Sequence, residues 1–225
     1  MTDTTPLLAE LRQLLGADAV IAGDAIDARY LKEYFAPQPA AVCPLLLVKP
    51  RTTAEVAAIL RRCNERRQPV VLQGGMTGLS GGALPQDGEV VLSLERLRGI
   101  EELDQQAGTM TLWAGTPLQE AQEAAAAAGF LLAIDLGARG SCHVAGNVAT
   151  NAGGNRVIRY GMAREQVLRL NAAIVRAQRQ ADVAQKFNEA GSPAWIVTPD
   201  EMKAVIAAEI PRYQRLTKSA GLEAS

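Results

Sequence analysis

The 225-residue chain is 48% hydrophobic and 21% charged, a balance that suits one or two soluble globular domains. Its formal net charge of −1 gives no electrostatic reason to pair it with nucleic acid or an anionic membrane surface. Three scattered cysteines, Cys43, Cys63 and Cys142, argue against a disulfide framework, and a single histidine leaves little for a zinc site. The N-terminal residues have neither a basic n-region nor a long apolar core, and no apolar run nears the ~20 residues of a spanning helix. The expectation is a cytoplasmic protein with no membrane span.

In chain order, Leu7, Leu8, Leu11, Leu14 and Leu15 give one apolar face and predict a helix over 5–16. Residues 24–40 read as a short helix and an extended arm, whose Tyr30, Tyr34 and Phe35 either line a pocket or pack at the surface. Ala41 to Val48 predicts a buried strand ended by Pro50. Thr52 and Glu55 form a capping box, so a helix is expected over 53–67, burying Val56, Ile59, Leu60 and Cys63. Val70 to Leu72 is a second strand, and this βαβ unit makes the two strands parallel. Glu89 to Leu94 predicts another strand, and Ile100–Leu103 with Thr109–Ala114 a hairpin. Thr116-Pro117-Leu118-Gln119 starts a helix, with Pro at N1 and Gln at N3, that stops at Gly129. Phe130 to Ile134 is extended.

Two glycine-rich stretches carry the chemistry. Gln73 to Gly82 holds five glycines in ten residues, at the C-terminal end of a parallel strand, where open α/β sheets bind ligands. Asp135 to Gly161 holds six glycines, three asparagines and the only histidine. Glycine lets backbone amides approach a ligand, and such runs cradle phosphates. The plainer reading of the second stretch is a flexible loop; Val144, Val148 and Ala149 point instead to an ordered path. Neither stretch is a Walker A loop, and neither is followed by the helix of a Rossmann fingerprint. Two such stretches about 60 residues apart favour a large cofactor bearing a pyrophosphate.

Gly74-Gly75-Met76-Thr77-Gly78-Leu79-Ser80-Gly81-Gly82, with the run from Asp135 to Gly154 and Arg159-Tyr160-Gly161, resembles the FAD-binding domain of the vanillyl-alcohol oxidase type. Within it the chain is most similar to D-2-hydroxyglutarate dehydrogenases and to bacterial D-lactate dehydrogenase or glycolate oxidase subunits, over about residues 1–167. The resemblance implies an α+β, two-lobed FAD-binding domain. Gly74, Gly75, Met76, Thr77, Gly78, Leu79 and Ser80 would wrap the pyrophosphate. Ser141, Gly146, Asn147, Thr150, Asn151 and Gly153 would contact pyrophosphate, ribityl chain and flavin edge, with Leu136 and Cys142 against the cofactor. Met76 stands where some relatives carry a flavin-linked histidine, so FAD is expected to be non-covalent. His143 is either catalytic or placed by backbone geometry. The catalytic residues are unknown, since the family's substrate groups lie in a later domain.

After Val167 the resemblance stops, leaving the second lobe incomplete and apolar sheet surface uncovered. A mainly helical tail is expected over 168–225: an amphipathic helix from Leu168 to Ala190, a strand at Ala194–Val197, and a helix capped by Thr198 with Pro199 and Glu201. The tail resembles the C-terminus of tripartite tricarboxylate transporter substrate-binding proteins. The expected division is a helical arm (1–40), a partial FAD-binding domain (41–167) and a tail of different origin (168–225). Three functions follow. The first is an FAD-dependent oxidoreductase taking hydride from a 2-hydroxy acid, truncated and impaired. The second is a non-catalytic flavin-binding fragment, or a subunit completed by a partner chain or homo-oligomer. The third is a solute-binding remnant.

Overall fold

A computed structural model describes residues 5–33 and 42–167. The chain divides into two compact units, Met1–Arg164 and Glu165–Ser225, and only the first three residues of the second lie within the described range. Tyr34, Phe35 and all expectations for the tail fall outside it.

The first unit is built on a four-stranded sheet of order β1-β2-β4-β3. Its strands are β1 (Val20–Ala22), β2 (Leu46–Val48), β3 (Val70–Gln73) and β4 (Val90–Ser93). β2 and β3 both run parallel to β4, while β1 pairs antiparallel with β2. The parallel reading therefore holds, but β2 and β3 are not neighbours, because β4 lies between them. The strand expected from Ala41 shortens to Leu46–Val48: Pro44 has no amide to donate, and Cys43 bonds instead to Asp87 and Gly88 in the turn before β4.

The strands alternate across two apolar layers. Leu46, Val48, Val90 and Leu92 face α1 (Thr5–Leu15) and α2 (Thr53–Glu65), against Leu7, Leu11, Ile59 and Cys63. Leu47, Val91 and Val71 face Ile26 and Tyr30 on the other side. Coverage on both faces is why β2 and β4 are continuous apolar runs. Burying each such leucine contributes about 1.5–3 kcal/mol. Tyr30 is thus a core residue, neither pocket lining nor surface packing, and α1 shares its core with the sheet.

α2 starts as its capping residues dictate. Thr52 Oγ1 accepts from the Glu55 amide at 3.1 Å, while the Glu55 carboxylate accepts from the Arg51 amide at 2.6 Å, one residue earlier than a standard box. A separate hairpin joins β5 (Ile100–Asp104) to β6 (Thr109–Leu112). α3 (Leu118–Ala127) begins one residue later than expected, with Pro117 as its N-cap. The Thr116 hydroxyl is committed elsewhere, donating to and accepting from the Gly99 backbone at 3.0 Å. Gly129 follows the helix at φ 82°, the left-handed residue a helix end favours.

The second glycine stretch is ordered around a small cluster of Leu118, Ile134, Cys142 and Ala163. It also contains two short helices the sequence reading lacked, α4 (Val144–Ala149) and α5 (Val157–Tyr160).

Candidate cofactor site

The two glycine stretches meet backbone to backbone. A Cβ on Gly75 would lie 1.9 Å from the Ser141 carbonyl oxygen and 2.9 Å from Cys142 Cα, so only glycine fits there. A Cβ on Gly74 would touch the His143 ring at 3.7 Å. The second stretch is in turn laced to the start of α3. Leu118 N donates to Cys142 O (3.0 Å), Gln119 N to Arg139 O (2.9 Å), Val144 N to Thr116 O (2.9 Å) and Ala145 N to Ala114 O (3.1 Å). Carbonyls of the glycine stretch thus satisfy amides in the first turn of α3, which is why that helix needs no side-chain cap.

The first stretch leaves β3 at the C-terminal edge of the parallel strands. Among the described residues, no backbone amide from Gly74 to Ser80 donates to a protein acceptor. Seven consecutive amides of this kind are left available to an anion. Met76 holds φ 53°, a left-handed conformation that costs an unbranched residue of order 1 kcal/mol and marks a constrained turn. Met76 and Thr77 are half-buried; Gly78, Leu79 and Ser80 are exposed.

The far arm of the loop is tied down by two residues that sequence reasoning gave no role. Gln73, fully buried at the end of β3, donates from Nε2 to Tyr30 O and Ala83 O, both at 2.8 Å. Glu33, 6% exposed, accepts from Gly81 N at 2.9 Å and Ala83 N at 3.3 Å. Gln73 had a readable signal, a polar residue closing an apolar strand. Glu33, alone in an irregular stretch, had none.

In the second stretch the candidates divide. Ser141 is exposed and Leu136 half-buried at the rim of the small cluster. Gly137 and Gly146 have open space where a Cβ would stand. The exposed Thr150 hydroxyl donates to Gly146 O at 2.8 Å. Cys142 and Asn147 instead point inward, 3% and 4% exposed, with Asn147 Nδ2 donating to Cys142 Sγ at 3.5 Å. Burial raises the Cys142 thiol pKa, which keeps it protonated. Asn151, at φ 50°, accepts from Arg164 N at 3.1 Å and so ties the stretch to its C-terminal return. Gly153 packs against Val157, and a Cβ on Gly154 would meet Asp135 O at 1.9 Å.

His143 is half-buried, and its Nδ1 is enclosed without a partner. Burial lowers its pKa; Glu95 raises it and Arg98 lowers it further. The ring is therefore neutral near pH 7. Glu95 itself sits in a charged cluster, 3.2 Å from Lys49 Nζ and from Arg29, with Tyr30 Oη donating to it at 2.9 Å. The described residues hold no group of three or more acidic, histidine or cysteine side chains able to bind a metal.

Residues 44–178 match the family described as FAD binding domain. The chain belongs to that family. FAD is its cofactor, and an amide-lined loop joined to an open glycine stretch fits a long, pyrophosphate-bearing molecule. The match extends past the junction expected near 167. The chain is 45% identical over 129 residues to a mitochondrial D-2-hydroxyglutarate dehydrogenase of Bos taurus, covering 57% of this chain and 24% of that protein. A D-2-hydroxyglutarate dehydrogenase of Xanthomonas citri is 48% identical over 124 residues, 55% of this chain and 26% of the relative. The chain thus spans about a quarter of the length of these relatives. Among solved structures, alkyldihydroxyacetonephosphate synthase superposes with a TM-score of 0.62 at 18% identity, over 70% of this chain and 31% of the other. p-Cresol methylhydroxylase gives 0.58 at 21%, over 66% and 29%. The expected fold of the vanillyl-alcohol oxidase type is the fold of the described FAD-binding residues. No helix among the described residues is long and apolar enough to cross a membrane.

Proposed function

We propose that this chain holds FAD non-covalently along the Gly74–Ser80 loop and the facing second stretch, as the flavin-bearing part of a D-2-hydroxy acid dehydrogenase. The observation that carries the reading is the run of uncommitted amides from Gly74 to Ser80, in direct backbone contact with Ser141 and Cys142. Those amides bind the pyrophosphate. Ser141, Gly146, Thr150, Asn151 and Gly153 border the ribityl chain and flavin edge, with Leu136 against the ring. Cys142 and Asn147 support the stretch from beneath, a positioning role that their burial favours. Bound FAD supplies the acceptor for a hydride from the carbon bearing the substrate hydroxyl. Met76 has no group able to form a flavin–imidazole bond.

The test is an absorbance spectrum of purified protein with and without added FAD, followed by acid precipitation. A flavin band that co-elutes with folded protein and is released by acid supports the reading. No band at excess FAD, or flavin retained in the pellet, overturns it.

A second reading is a flavin-binding subunit without turnover of its own. Turnover of D-2-hydroxy acids with a dye acceptor separates the two. Gel filtration tests for a homo-oligomer or partner chain. Cell fractionation tests the expected cytoplasmic location, which recovery with organelles would refute. The solute-binding reading rests on residues 168–225 alone, and a tricarboxylate-binding assay on the chain tests it.

A further inference from the structure

The first glycine loop divides into two arms with different partners. Among the described residues, its near arm, Gly74 to Ser80, keeps its amides free of protein acceptors, while in its far arm the amides of Gly81 and Ala83 both end on Glu33. Glu33 is buried, so its carboxylate has left water and is held by these donors, which are charge-assisted and stronger than neutral hydrogen bonds. Gly78 bears on the same group: a Cβ there would stand 3.1 Å from Glu33 Oε1, so a glycine lets the loop lie flat over the carboxylate. Gln73 closes the base of the loop by binding Ala83 O. A carboxylate accepts at both oxygens, which suits two converging N–H groups. A carboxamide would present an NH2 to one of them.

We propose that Glu33 is a positioning residue for FAD. By anchoring the far arm internally, it sets the turn at Gly78 and aims the near-arm amides at the cofactor phosphates. This rests on the proposed FAD site. It gives the loop a built-in anion on one side and an anion-binding face on the other.

The experiment uses the full chain and the variants Glu33→Gln, Glu33→Asp and Glu33→Ala. Three quantities are measured: FAD affinity by flavin fluorescence, melting temperature without FAD, and amide exchange of the 74–84 segment without FAD. We expect Glu33→Gln to weaken FAD binding about ten- to a hundredfold, as for loss of a hydrogen bond to a charged group. Exchange at 74–84 should accelerate while the melting temperature shifts by no more than about 4 °C. Glu33→Asp should restore part of the affinity. If Glu33→Ala does not fold, Glu33→Gln carries the test. Affinity and loop exchange within twofold of the parent would overturn the proposal. So would a fall in affinity that only tracks a general loss of stability, since a merely structural role moves both together. If the parent itself binds no FAD, the cofactor reading fails. Loop exchange then decides Glu33 alone: acceleration keeps its anchoring role, and no change removes it.

Discussion

Gly75→Ala tests the joint between the two glycine stretches. The added methyl would stand 1.9 Å from Ser141 O, 2.8 Å from Ser141 C and 2.9 Å from Cys142 Cα, all of them backbone atoms. Reaching an ordinary contact of 3.4 Å requires the chains to part by about 1.5 Å. Neither side yields easily. Gly75 follows the β3–β4 ladder closely, and Cys142 O is bonded to Leu118 N. Overpacking of this kind costs about 3 kcal/mol, the upper end of the usual range. For a chain of this size that lowers Tm by about 6–12 °C. Gly82→Ala is the control: nothing lies within 4 Å of its Cβ position, so it should melt within about 1 °C of the parent. Thermal unfolding by circular dichroism gives the first readout and FAD titration the second, where Gly75→Ala should lose binding by at least tenfold. A Gly75→Ala protein that melts with the parent and binds FAD unchanged would refute the claim that the stretches meet without a side chain between them.

Thr52→Ala removes the acceptor for the Glu55 amide and should cost about 1 kcal/mol in a denaturant titration; no change would mean that Glu55 alone caps α2. Gly115→Ala places a methyl 1.9 Å from Leu94 O, where β4 leads toward the hairpin, and should destabilise about as much as Gly75→Ala. His143 has a folded pKa below its unfolded value of about 6.5, so its neutral form contributes stability above that pH. That contribution falls away as pH drops from about 6.5 toward the lowered folded value. His143→Gln should flatten melting temperature between pH 7 and pH 5. An identical slope in parent and variant would show that other groups govern that window.

The legible parts of the fold are those written in local chemistry. The leucine spacing of α1, the Thr52 cap of α2 and the stop at Gly129 each follow from interactions within a few residues. The glycine stretches were legible for the same reason, since their composition announces backbone exposure. What was hidden depends on contacts far apart in sequence. That β4 enters between β2 and β3 is decided by pairing registers no single strand carries. Thr116 looks like a cap until Gly99 claims its hydroxyl, 17 residues away. Cys142 and Asn147 belong to a motif rich in ligand-type residues, yet Cys142 packs with Leu118, Ile134 and Ala163, and Asn147 Nδ2 donates to the Cys142 Sγ. Glu33 lies 48 residues from Gly81, and nothing around it foretells the partnership.

The strand order also joins cofactor and folding. β3 has a single sheet partner, β4, and the chain between them is the glycine loop and its continuation, residues 74–89. Because the strands are parallel, each residue of β3 pairs with one 20 positions on, and pairing closes a ring of that size at an entropic cost of roughly 2.7 kcal/mol above the fixed term. Glu33 and Gln73 already restrict part of that ring. A molecule that orders the remainder lowers the closure cost of the β3–β4 ladder itself, so occupancy of the loop is felt as protection of the Val71 and Leu92 amides along that ladder. On the proposed site, acquiring the cofactor and completing the fold become coupled steps of one equilibrium.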